Sequence, residues 1–367
     1  MITEVLIRNF KCFKQLTLPD FGQLTLIAGR NNVGKTALLE ALFLFFDRRQ
    51  PAMILRQFAW RGIDKVSLEP EAMWAPIFYD YNMNEEILIS TIVSDEPQSA
   101  TFRFNPNFSP PTSPSIVAPD AVLSASVPYE QRQIPTSEQP APLTALDIEY
   151  RVRDEVKQVS HLFVDNQLKP VLYVDYAYIK KTWPAVFFPS KQHIAMKQTA
   201  DFFSELAESG REKEAVDFLR IIEPRLSDLK VITKGPNSSV HGQLKGFPRT
   251  LPIHLMGEGM EKLLNLIVGI AHSPGGCIFV DEMENGIYYE ASPKTWEAIA
   301  SAAGNYNCQV IATTHSYECL EAAHKGLANR PEDLRYIRLH REGDVITAKT
   351  SNYDMLGSAI AHNLEIR

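Results

Sequence analysis

Gly29-Arg30-Asn31-Asn32-Val33-Gly34-Lys35-Thr36 decides how this chain is read. It matches G-x-x-x-x-G-K-[ST], and its flanks are those the motif requires. Residues 24–28, Leu-Thr-Leu-Ile-Ala, read as an apolar strand, and Leu38, Leu39, Leu42, Phe45 and Phe46 recur at helical spacing. A strand, a Gly-bounded loop and a helix N-terminus in succession turn backbone N–H groups toward an anion. Gly29 and Gly34 let the backbone wrap closely. Gly29, Arg30, Asn31, Asn32, Val33, Gly34 and Ala37 are therefore candidate phosphate binders, Lys35 is expected to reach the β- and γ-phosphates, and the Thr36 hydroxyl to ligate magnesium.

Such a loop needs an acidic partner. Cys277-Ile-Phe-Val-Asp281-Glu282 reads as a buried strand that delivers two carboxylates at its C-terminal edge, where open α/β sheets place ligands. Asp281 is the candidate magnesium ligand and Glu282 the candidate group that polarises the hydrolytic water. Val310-Ile-Ala-Thr-Thr314-His315-Ser316 is another apolar strand, ending in an imidazole that would contact the γ-phosphate, so Lys35, Glu282 and His315 form the candidate catalytic set. Upstream, Gly257-Glu258-Gly259 opens an apolar helix and makes a second anion-binding N-terminus. A chain that already has its own phosphate loop has use for a spare one only if it completes the site of another subunit.

As an ordered set, these motifs resemble an ABC-class ATPase of the branch that includes the structural-maintenance-of-chromosomes (SMC), RecF and OLD proteins. The parts that carry the resemblance are the opening Leu6-Ile-Arg8-Asn9-Phe10-Lys11-Cys12-Phe13, residues 29–36, Gly257-Glu258-Gly259-Met260, the strand ending in Asp281-Glu282, Glu284-Asn285-Gly286-Ile287, and Thr314-His315-Ser316. The resemblance implies an ABC-type α/β fold with a mixed central sheet, an antiparallel β subdomain and a helical lobe, and ATP and Mg²⁺ as cofactors. It also implies that Arg8, Asn9, Phe10 and Lys11 lie near the nucleotide, that Asn31 lies near the γ-phosphate, and that Gly257, Glu258 and Gly259 act in trans within an ATP-dependent homodimer. The signature-like segment lacks the serine and second glycine of the usual L-S-G-G-Q, so contacts in trans must rely on backbone donors. No glutamine stands out as the Q-loop residue, although Gln57 is a candidate.

OLD-type relatives carry a TOPRIM nuclease after the ATPase. The residues after His315 hold no Glu…Asp-x-Asp cluster, and a partner effector, a nuclease or toxin, is expected on another polypeptide, as in bacterial phage-defence systems. A RecF-like, DNA-binding repair protein is the alternative, using Arg56, Arg61, Lys180, Lys181 and Lys191. A transporter ATPase is a third reading, opposed by the signature and by the 222 residues between Lys35 and Gly257.

Composition narrows the setting. With 37 Lys+Arg against 44 Asp+Glu the net charge is −7, which disfavours wholesale coating of nucleic acid. The four cysteines show no C-x-x-C spacing, so a reducing cytoplasm fits. No apolar run reaches the ~18–20 residues of a membrane span, and the N-terminus lacks a secretory pattern. Residues 1–95 are expected to begin the ATPase domain, and 96–145 to form a Pro-rich insertion, since 97–142 hold ten of the 24 prolines. Residues 146–250 are expected to supply strands and a helical lobe, with helix over 194–229, and 251–367 to complete the ATPase domain.

Overall fold

The computed structural model describes residues 1–46, 54, 70–109, 143–164, 170–177, 183–190, 195–235, 237–287 and 292–366. The chain opens with a hairpin, β1 (Ile2–Phe10) and β2 (Phe13–Pro19), whose alternate residues Val5, Ile7, Leu16 and Leu18 are buried. It then crosses to another sheet as β3 (Leu24–Ala28), buried on both faces, and enters α1 (Lys35–Phe46). Leu24 and Leu26 lie in a different core from Val5 and Ile7, because period two reports burial and not which sheet a strand joins.

Next come β4 (Ile87–Val93), β5 (Glu96–Phe108), β6 (Leu143–Val152), β7 (Glu155–Val164) and β8 (Pro170–Ala177). With the hairpin they form an antiparallel sheet ordered β2-β1-β4-β5-β6-β7-β8. The stretch from residue 97, read as a poorly packed connection, thus begins as strand. Pro97 sits at the start of β5 and Pro106 in the register break between Asn105 and Phe108, the positions where a residue without an N–H does no harm to a ladder. Residues 110–142 lie outside the described residues.

After β9 (Ala185–Phe188) follow α2 (Met196–Glu208) and α3 (Glu212–Leu219), separated by a turn with Gly210 at φ +72°. The helix expected over 194–229 ends earlier: Leu226 already starts β10 (Leu226–Lys234), since Pro224 stops the helix and the chain pairs with β11 (Asn237–Leu244), itself joined by β12 (Leu251–Pro252). The remainder is α4 (Glu258–His272), β13 (Cys277–Val280), α5 (Ser292–Tyr306), β14 (Gln309–Thr313), α6 (Tyr317–Gly326), β15 (Leu334–Glu342), β16 (Val345–Asn352) and α7 (Tyr353–Ala361).

The central sheet runs β16-β15-β3-β14-β13-β9, with only β16 antiparallel to its neighbour. Strand alternation divides the buried residues of this sheet between two cores. Leu24, Leu26, Ile278, Val280, Val310 and Ala312 face α4, α5, α6 and the α2–α3 lobe, whereas Ile27, Phe279 and Ile311 face α1 and the antiparallel sheet. Helix α1 is therefore pressed between two sheets. The Phe43 and Phe46 rings lie 5.9 Å from Phe279 on one side, and Phe45 lies 5.8 Å from Tyr150 on the other. The fold is α/β, with a mixed central sheet, an antiparallel β unit and a helical lobe, as expected.

Candidate functional site

β3, β14 and β13 are adjacent and parallel, so the loops that leave their C-terminal ends emerge together. These are residues 29–36, 314–316 and 281–286, the segments singled out by motif. Between them and the antiparallel sheet opens a cleft of about 930 Å³. The phosphate loop needs its glycines: Gly29 has φ +150° and Gly34 φ +93°, and Leu38 N–H closes the first helical turn on Gly34 O at 2.9 Å. Lys35 Nζ folds back onto the loop, donating to the carbonyls of Gly29 (2.6 Å) and Arg30 (3.0 Å). Burial lowers its pKa, against the pull of Glu284, Asp281 and Glu282.

Asp281 is the focus of the cleft. Its N–H is held by Phe188 O of β9 at 2.9 Å, and its carboxylate accepts from Thr36 Oγ1 (3.0 and 3.1 Å) and Thr313 Oγ1 (2.7 Å). Ser190 supplies another hydroxyl. Burial raises the Asp281 pKa, while the bonds from Thr313, Ser190 and Thr36 lower it and Glu282 raises it again. A buried carboxylate beside a hydroxyl fits a hard cation. Adjacent ligands on an octahedral Mg²⁺ with bonds of ~2.1 Å stand about 3 Å apart, the separation that Thr36 and Asp281 already have.

Glu282 takes a left-handed conformation (φ +52°), its N–H bonded to Thr313 Oγ1 at 2.9 Å and its Oε2 accepting from Asn285 Nδ2 at 2.9 Å. His315 lines the cleft with its side chain half exposed. Behind this loop, Lys262 of α4 reaches in and donates to the carbonyls of Glu282 (3.1 Å), Met283 (2.9 Å) and Asn285 (2.6 Å). Burial pushes its ammonium down to about 8, against the attraction of Glu284 above all.

Of the residues predicted from sequence, Lys11, Asn31, Asn32, Gly34, Lys35, Thr36, Ala37, Asp281, Glu282 and His315 line the cleft. Others are placed elsewhere. Arg8 is exposed on β1, and Arg30 is exposed on the loop. Asn9 is buried, its Nδ2 donating to the carbonyls of Glu85 (2.7 Å) and Asn82 (3.5 Å), while Phe10 and Val33 belong to the core. Gly29 acts through its backbone: a Cβ there would meet Leu339 O at 2.6 Å. Gly257, Glu258 and Gly259 form the start of α4, with Gly257 at φ +120°, and lie off the cleft wall. Glu258 packs against Gly286, where an added Cβ would stand 2.7 Å from its Cγ.

Lys11 pairs with the buried Glu40 of α1 at 2.5 Å. Gln57, Arg56, Arg61, Lys180, Lys181 and Lys191 lie outside the described residues. Sequence reasoning missed Ser190, Thr313 and Lys262 as parts of the site. Ser190 and Thr313 had a readable signal, since each is a hydroxyl residue at or just past the end of an apolar strand, Ala185–Phe188 or Gln309–Thr313. Lys262 had none.

Comparison with known proteins agrees on the class. Residues 24–321 match the family described as "AAA domain, putative AbiEii toxin, Type IV TA system". Over 347 residues, 88% of this chain and 87% of the relative, the sequence is 24% identical to a Helicobacter pylori protein named ATP/GTP phosphatase. A shorter match, 40% over 67 residues, covers 17% of this chain and 31% of an uncharacterised Methanocaldococcus jannaschii protein. Among solved structures, an SMC head bound to the C-winged helix domain of ScpA aligns at 12% identity with a TM-score of 0.48, over 96% of this chain and 99% of that one. The SMC head domain from Thermotoga maritima aligns at 12% identity and a TM-score of 0.44, with the same coverage. Since the family match spans most of the chain and includes the phosphate loop, the Asp281 strand and His315, this protein belongs to that AAA-domain family and is a P-loop ATPase.

Proposed function

We propose that the chain is an ATP-driven switch: two copies close on two ATP molecules, hydrolysis releases them, and the cycle controls a separate effector, a nuclease or toxin, in a bacterial phage-defence system of the cytoplasm. The observation that carries the reading is the Thr36–Asp281 contact at 3.0 Å, which unites the phosphate loop with the acidic strand across 245 residues of sequence. In this reading Lys35 exchanges its loop carbonyls for β- and γ-phosphate oxygens, Asn31 borders the γ-phosphate, and Lys11 borders the nucleoside. Thr36 and Asp281 would hold Mg²⁺, which when bound supplies positive charge against the phosphate oxygens. Glu282 polarises the attacking water and His315 contacts the γ-phosphate.

The dimer reading is supported by the start of α4. Gly257–Gly259 present a helix N-terminus that lies off the cleft holding Lys35 and Thr36, where its backbone donors would serve a second copy. The effector reading is supported by the family description, which includes a toxin–antitoxin system. Glu282→Gln, which keeps shape and removes the base, should accumulate an ATP-bound species of twice 41.4 kDa by light scattering. An unchanged mass with ATP and Mg²⁺ would count against the dimer. Lys35→Ala should abolish ATP binding by calorimetry, and unchanged affinity would overturn the phosphate-loop assignment.

A further inference from the structure

Glu284 stands outside the cleft wall, in the loop that follows Glu282, yet it touches what lines the cleft. Its Oε1 lies 2.8 Å from the backbone N of His315 and 2.9 Å from His315 Nδ1. Its Oε2 is buried and accepts no hydrogen bond among the described residues. The carboxylate is therefore spent on His315. The three bonds from Lys262 to the carbonyls of Glu282, Met283 and Asn285 bracket Glu284 and hold its backbone in place, so it is a fixed anchor and not a wandering surface acid. The backbone contact is a hydrogen bond and the ring contact an ion-pair approach, so one carboxylate oxygen holds the His315 backbone and stands beside the Nδ1 edge of its ring.

We propose that Glu284 is the positioning residue of His315: one carboxylate oxygen holds the backbone N–H and stands beside Nδ1, fixes the side chain through these two contacts, and so presents the imidazole to the phosphate end of the cleft. This rests on the ATPase reading for its kinetic consequence but not for its structural one. The pattern is that of an outer carboxylate orienting a functional imidazole. Glu284 also exerts the strongest pull of any carboxylate on both Lys35 and Lys262, so the oriented ring shares its anchor with the phosphate-loop lysine and with α4.

Two measurements test it. In steady-state ATP hydrolysis, Glu284→Gln and Glu284→Ala should each lower kcat by about tenfold or more with KM within about twofold. In a His315→Ala background, Glu284→Ala should change kcat by less than about twofold, because a group that acts through the ring has nothing left to act on. Independent, multiplicative losses would overturn the proposal. Three-bond couplings of the His315 side chain, assigned with His315→Ala, should report one χ1 rotamer in the wild type and averaging among rotamers in Glu284→Ala. A rotamer indifferent to Glu284 would overturn it equally. If the wild type itself turned over no ATP, the ATPase reading would fail, and the rotamer measurement would still decide the role of Glu284.

Discussion

A Cβ placed on Gly34 would stand 2.6 Å from Cys12 Sγ and 2.8 Å from Phe13 Cζ, in a conformation with φ +93°. Gly34→Ala should therefore cost about 1–3 kcal/mol in denaturant unfolding and displace Lys35 enough to abolish ATP binding by calorimetry. Lys262 offers a test of sign. Its ammonium titrates near 8 in the folded chain against 10.5 when exposed, so the unfolded state binds more protons between those values. Stability from this group then rises with pH across that window, by a few kcal/mol at most, on the order of 1–3. Urea unfolding of the wild type and Lys262→Met through this range should show the extra upward slope in the wild type alone. Parallel slopes would mean that the ammonium is solvated.

Helix α1 shows what one element contributes. Every residue from Ala37 to Phe46 is buried, including Glu40, because the helix has a sheet on each side and no face toward water. Leu42→Ala should cost about 2–5 kcal/mol in urea unfolding. ATP affinity should also fall, since Lys35 and Thr36 are the first residues of the same helix. A loss of stability without any loss of affinity would show that the phosphate loop is held by β3 alone. Strand β14 contributes differently. Lying between β3 and β13, it ends in Thr313, whose Oγ1 meets both the Asp281 carboxylate and Glu282 N–H. One hydroxyl thus ties the Asp281 carboxylate to the Glu282 backbone.

Over the whole molecule, the central sheet is the wall shared by two cores, and the proposed nucleotide site lies on its edge where three of its strands end. A ligand bound there bridges loops from distant parts of the chain. Mg-ATP at ~100 times its Kd should add about 2.7 kcal/mol of stability, seen as a raised Tm, while Lys35→Ala should melt unchanged with or without nucleotide. The sequence by itself determined whatever is encoded over a few neighbouring residues. The strand-loop-helix of residues 24–46 is written in periodicity and glycines, and the paired acids after Cys277–Val280 and the imidazole after Gln309–Thr313 follow the end-of-strand rule. Only the tertiary structure decided which residues meet across the chain. Ser190 and Thr313 converge on Asp281, Glu284 claims His315, Lys262 ties α4 to the acidic loop, and Asn9, Phe10 and Val33 go to packing. The reason is physical: turn and strand propensities act over a few bonds, whereas these contacts depend on strand order and on which buried surfaces find each other, and no local pattern records either.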